Sequence, residues 1–151
     1  MSAPNIVFIF ADDLGYGDVA CLNPEGKIPT PHIDRIAGGG MKFTDAHSTS
    51  AVCTPSRYGV LTGRYNWRSR LQAGIVRVFG DPLIGEDTPT VPKLLGEHGY
   101  HSACIGKWHL GWDWPIEEPA RFVPDRKDPA PLVDDATRAE WRACFSKPIA
   151  G

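Results

Sequence analysis

The chain opens on a continuous apolar run, Ile6-Val7-Phe8-Ile9-Phe10, that stops abruptly at Ala11-Asp12-Asp13. Apolar residues without alternation predict a strand covered on both faces. From Thr30 the pattern turns helical. Ile33, Ile36 and Ala37 form an apolar stripe, with Thr30 as cap, Pro31 first in the helix and Gly38-Gly39-Gly40 as terminator. Met41 to Ala46 is a second strand candidate, and a helix is expected to open at Thr54-Pro55 and close near Thr62-Gly63.

Residues 64–85 carry no clear period, and Ile75-Val76-Arg77-Val78-Phe79 reads as either a strand or a substrate-facing loop. A third helix follows, capped by Thr88 with Pro89 first. Its Val91, Leu94, Leu95 and His98 fall on one face, and Gly99 closes it. Ser102 to Ile105 is a strand candidate leading into Gly106-Lys107. Beyond Trp112 the pattern dissolves into Pro115, Pro119, Pro124, Pro129 and Pro131 among charges, a surface excursion interrupted by a helix from about Asp135 to Phe145. Strands alternating with helices predict an α/β fold with a mostly parallel central sheet flanked by helices.

Composition narrows the function classes. The 151 residues suffice for one domain, and 42% apolar with 23% charged residues is ordinary for a globular protein. A net charge of −2 without a basic run gives no footprint for nucleic acid. No apolar stretch approaches the roughly 20 residues of a membrane span. The first residues lack a basic stretch and a small-residue cleavage site, so they read as a strand and not a signal peptide. The chain as written is thus expected in the cytoplasm, or in a periplasmic, secreted or lysosomal setting if a leader was removed. Cys21, Cys53, Cys104 and Cys144 are too widely spaced for a zinc site. They permit two disulfides, and isolated thiols are the plainer reading for all but Cys53.

Three polar clusters converge in this scheme. Asp12-Asp13 follows the first strand, Cys53 to Arg57 opens a helix, and Lys107-Trp108-His109 follows the strand ending at Ile105. Ligand sites of open α/β sheets lie beyond the carboxyl ends of strands, and a helix N-terminus favours an anion. Each cluster has a bland alternative: a solvated turn for the aspartates, surface positions for Lys107 and His109, and a small buried hydrophobe for the cysteine. Cys-x-Pro-Ser-Arg is different in kind. Four fixed identities at about 5% frequency each arise by chance on the order of once per thousand chains of this size.

At these residues the chain resembles the type I sulfatases of the alkaline phosphatase superfamily. Cys53-Thr54-Pro55-Ser56-Arg57 with Leu61-Thr62-Gly63-Arg64 resembles their first signature, and Gly99-Tyr100 through Gly106-Lys107-Trp108-His109-Leu110-Gly111 their second. Pro4 to Asp18 is similar to their opening strand and metal loop, and Thr30-Pro31-His32-Ile33-Asp34 and Phe43-Thr44-Asp45-Ala46 also fit in order. The likeness covers residues 4–112 and is weak over 113–151. It implies an alkaline phosphatase/sulfatase-like fold, incomplete here, with the chain as the N-terminal part of a catalytic domain.

The resemblance also implies a chemistry. Cys53 would be oxidised by a formylglycine-generating enzyme to Cα-formylglycine, whose hydrate attacks the sulfur of a sulfate monoester on a sulfated small molecule or sugar. Asp12, Asp13 and the Cys53-derived hydrate would bind Ca²⁺, with Mg²⁺ as alternative. Arg57 would anchor the hydrate, Lys107 would hold sulfate, and His109 would assist collapse of the hydrate. The remaining ligands, an acid for the leaving group and a second sulfate-binding Lys come from a later region in the family. The chain alone is therefore expected to be inactive. Rival readings are a phosphonate or phosphate ester hydrolase of the same superfamily, and a non-catalytic anion- or partner-binding fragment. Trp67, Arg68, Arg70 and Arg77 are candidate lining for a sugar pocket.

Overall fold

Prolines near helix starts and glycines past their ends set most of the boundaries. The computed structural model describes residues 3–77, 80–114 and 135–146. Its α-helices are α1 (Pro31–Gly39), α2 (Cys53–Thr62), α3 (Val91–Glu97) and α4 (Asp135–Phe145). No helix among these residues is long and apolar enough to cross a membrane. The chain divides into two units, Met1–His47 and Ser48–Gly151.

In the first unit a 3-10 turn, Tyr16–Asp18, closes on itself: Gly15 N–H donates to the Asp18 carboxylate at 2.8 Å, and Asp18 N–H to Gly15 O at 3.1 Å. α1 has the expected Pro31 and glycine ends, but Thr30 does not cap it. Its hydroxyl instead accepts from Ala20 N–H at 2.9 Å and donates to Asp34 Oδ1 at 3.1 Å. Asp34 Oδ1 also accepts from Cys21 N–H, and Lys42 donates to Cys21 O. A residue placed to cap a helix has been recruited to tether the loop before it. The cost of a lost cap is offset by satisfying loop amides that would otherwise be orphaned.

The expected strands form no ladder among the described residues. Ile6 to Phe10 is exposed, Val7 by 83%, as are Met41 and Phe43. Ile105, at the end of the third candidate, is 96% exposed. A strand buried on both faces is stabilised by neighbours on either side, so an apolar run cannot form one alone.

In the second unit α2 begins at Cys53, one residue before the expected start, with extended Val52 as cap and left-handed Gly63 as stop. Gly63 N–H donates to Gly59 O at 2.9 Å. The core gathers Tyr58, Val76, Leu83 and Leu110, with Leu61, Leu71, Ile84 and Trp108 packed around them. α2 contacts both α3 and the 3-10 turn Asn66–Arg68. Residues 80–83 and 110–112 run side by side, through Leu83 N–H to Leu110 O at 2.8 Å and Trp112 N–H to Gly80 O at 3.2 Å. Gly111 permits this approach: its φ is +82°, and a Cβ there would meet Asp81 O at 2.1 Å.

α3 is capped by Thr90, not Thr88. Thr90 Oγ1 accepts from Lys93 N–H at 3.3 Å, and Pro92 falls in the first turn, where no amide is needed. Thr88 belongs to the preceding turn, its N–H bonded to Gly85 O. Gly99, at φ +81°, ends α3 as expected, and α4 occupies the expected residues. Val78 and Phe79 of the strand-or-loop segment, the prolines from Pro115 to Pro131 and the Cys144 side chain lie outside the described residues. Cys21, Cys53 and Cys104 are free thiols.

Candidate active site

Cys53 is the first helical residue of α2, half-buried, and Arg57 lies one turn along on the same face. The first intrahelical bond runs from Ser56 N–H to Val52 O at 3.1 Å. The amides of Cys53 and Thr54 thus precede the ladder, and Pro55 has none to lose. The loop before the helix is fastened to its first turn: Ser56 Oγ donates to Ser50 O, and Thr49 Oγ1 to Pro55 O at 3.2 Å. Gly59 lets that loop lie close, since a Cβ would meet Thr49 Oγ1 at 2.1 Å.

Two side chains of α2 reach across to the segment carrying Lys107 and His109. Arg57 Nη1 donates to the main-chain oxygen of Lys107. Thr54 Oγ1, fully buried, donates to the main-chain oxygen of His109 at 2.8 Å. A helix turn therefore holds alternate carbonyls of one segment. Lys107 is exposed. Trp108 closes the segment from the other side, its indole N–H donating to Gly111 O at 2.8 Å and its ring 5.6 Å from that of Trp112.

His109 is held at φ +55°, a left-handed conformation that costs free energy outside glycine and persists where its surroundings fix it. Its ring nitrogen Nε2 lies 3.1 Å from Val76 O. A carbonyl can only accept, so Nε2 carries the proton. Nδ1 is buried and has no hydrogen-bond partner among the described residues.

Of the residues singled out in the sequence, the second unit therefore joins Cys53, Arg57, Lys107 and His109 through one helix and one segment. Asp12 and Asp13 belong to the first unit. Both are exposed, and Asp13 sits at φ +58°, which Asp tolerates better than most side chains. Their oxygens are the donor type for Ca²⁺ or Mg²⁺. Two carboxylates fall short of either ion's ligand number, and among the described residues no group of three or more candidate ligands converges. Sequence reasoning missed Thr54 and Val76. Thr54 is the unspecified position of Cys-x-Pro-Ser-Arg, and Val76 contributes only main-chain atoms, so neither gives a sequence signal.

Among the residues considered as sugar-pocket lining, Trp67 stacks on Tyr65 with centroids 4.1 Å apart, and Arg70 donates to Asp81 O.

The family model described as Sulfatase matches residues 4–120. An N-acetylgalactosamine-6-O-sulfatase of Bacteroides thetaiotaomicron is 50% identical over 108 residues, covering 72% of this chain and 21% of that protein. Human arylsulfatase A is 43% identical over 108 residues, with 72% and 21% covered. Human steryl-sulfatase is 44% identical over 115 residues, with 73% and 20% covered. A solved structure from work on the metabolism of multiple glycosaminoglycans by Bacteroides thetaiotaomicron superposes with a TM-score of 0.68 at 50% identity, over 72% of this chain and 22% of that one. The chain spans about one fifth of the length of the curated relatives it matches.

Proposed function

The chain belongs to the sulfatase family, and from that premise we propose that the whole protein hydrolyses a sulfate monoester with a nucleophile made from Cys53. The observation that supports this most is the double fastening of α2 to the Lys107–His109 segment by Thr54 and Arg57. It ties the nucleophile precursor, a cation and an imidazole to one local framework.

In this reading Cys53 is oxidised to Cα-formylglycine, and the hydrated aldehyde carries two hydroxyls on one carbon. One attacks sulfur, the alcohol leaves, and a covalent sulfate ester remains on residue 53. His109 takes the proton of the second hydroxyl. The carbonyl re-forms, the C–O bond to sulfate breaks with its electron pair going to sulfate, and water restores the hydrate. A thiol or a simple alcohol lacks the second hydroxyl and has no such exit. Lys107 holds the anionic group as a point charge, and Arg57 orients the hydrate through its fixed donors.

Asp12 and Asp13 would contribute oxygen ligands for Ca²⁺, which would offset negative charge on the sulfate group. The remaining ligands lie outside the described set. The exposed apolar residues of Ile6–Phe10 and Ile105 suit strands that are covered in the whole protein. Thr54, Pro55 and Ser56 are buried in the folded unit. A formylglycine-generating enzyme that reads this motif would therefore act before it is packed. The likeness to an N-acetylgalactosamine-6-O-sulfatase supports a sulfated sugar as substrate.

The test is turnover of matched aryl sulfate and aryl phosphate esters by the full-length protein. Faster sulfate turnover is expected, and faster phosphate turnover would overturn the assignment.

A further inference from the structure

Thr54, Val76 and His109 close a ring of hydrogen bonds between three chain segments. Thr54 Oγ1 donates to His109 O at 2.8 Å and accepts from Val76 N–H at 3.3 Å. Val76 O in turn faces His109 Nε2 at 3.1 Å. The Thr54 side chain is wholly buried and Val76 is 4% exposed, so neither partner is readily replaced by water. One hydroxyl thus bonds both the main chain of His109 and the amide of the residue whose carbonyl meets its ring.

We propose that Thr54 is a positioning residue that holds His109 with Nε2 protonated and Nδ1 as the basic nitrogen. This rests on the sulfatase reading above for its catalytic meaning. The argument itself is geometric. Because Nε2–H is spent on a carbonyl, only Nδ1 has a lone pair for the hydroxyl proton of the hydrate. That nitrogen is buried and lacks a partner among the described residues, which is the condition of a base kept free for a ligand. The left-handed backbone of His109 aims the ring, and the bond from Thr54 to its carbonyl helps to hold that conformation. A valine at position 54 preserves shape but leaves Val76 N–H and His109 O without their shared partner. A serine keeps the hydroxyl.

The step that depends on this placement is collapse of the sulfated hydrate, in which Nδ1 takes the hydroxyl proton as the C–O bond to sulfate breaks. Misplacing the base should slow that step more than substrate binding. The experiment compares wild type, Thr54→Val and Thr54→Ser in the full-length protein, with the rate normalised to the fraction of residue 53 converted, read by peptide mass. In Thr54→Val, kcat for an aryl sulfate should fall about tenfold or more and KM should fall with it, leaving kcat/KM within about twofold of wild type. The covalent sulfate ester on residue 53 should accumulate in the steady state. Thr54→Ser should recover most of the rate. A Thr54→Val protein with wild-type kcat, or one impaired without accumulated ester and equally impaired as serine, overturns the proposal.

A second readout does not need turnover. Nitrogen-15 spectra of histidine-labelled protein, with His109→Ala for assignment, should show His109 protonated on Nε2 in wild type and a mixed population in Thr54→Val. Protonation on Nδ1 in wild type overturns the proposal. A wild type unable to turn over aryl sulfates would sink the sulfatase reading instead, and the tautomer spectra would still decide this one.

Discussion

Arg57, one turn along α2 from Cys53, donates through Nη1 to the main-chain oxygen of Lys107. The same guanidinium that would orient the nucleophile thus also locates the residue that would hold sulfate. Arg57→Lys keeps the charge but loses the planar fork, so it should not restore the role. Loss of a charge-assisted hydrogen bond of this kind corresponds to about 10- to 100-fold in kcat/KM. Steady-state kinetics of the full-length variant, normalised to conversion of residue 53, check this. A lysine variant with wild-type efficiency would remove Arg57 from the site.

Gly111 and Gly63 separate two reasons for glycine. Both have positive φ, but a Cβ at Gly111 would strike Asp81 O, whereas Gly63 faces open space. Gly63→Ala should cost about 1 kcal/mol, from strain at the helix stop alone. Gly111→Ala should cost about 3 kcal/mol or more, because residues 80–83 must move away from 110–112. Urea denaturation of the two variants measures the difference. Equal losses would contradict the packing described for Gly111.

Asp13 offers a test of the proposed metal-binding role that spares the fold. Its side chain is exposed and its backbone is left-handed, a conformation that Asn also tolerates. Asp13→Asn should therefore leave the melting temperature close to wild type. Bound Ca²⁺ measured by elemental analysis should fall, and activity should fall about tenfold or more with it. Unchanged metal content would dismiss Asp13 as a ligand.

Local rules made much of this chain legible, and non-local ones did not. The ends of α1 at Pro31 and Gly39, the stop of α2 at Gly63 and the span of α4 follow from proline, glycine and apolar spacing. α3 misled the reading because Thr88-Pro89 and Thr90-Val91-Pro92 offer overlapping starts, and only the bond to Lys93 N–H distinguishes them. Ile6 to Phe10 carries a strand pattern, yet pairing partners must come from elsewhere in a sequence. At the site, Cys53, Arg57, Lys107 and His109 were legible as motif residues. Thr54 was not, because its importance lies in which carbonyl it reaches 55 positions away. The left-handed backbone of His109 was equally hidden, since nothing in its neighbours' types requires it.

The central claim is that Cys53 is the precursor of the nucleophile and not the nucleophile itself. Its most direct test is the mass of the peptide spanning residue 53, taken from catalytically active full-length protein made in its native host. Conversion to formylglycine predicts a loss of roughly 18 Da relative to cysteine, as sulfur and two hydrogens leave and one oxygen enters. Active protein whose peptide keeps the mass of the intact thiol would contradict the account.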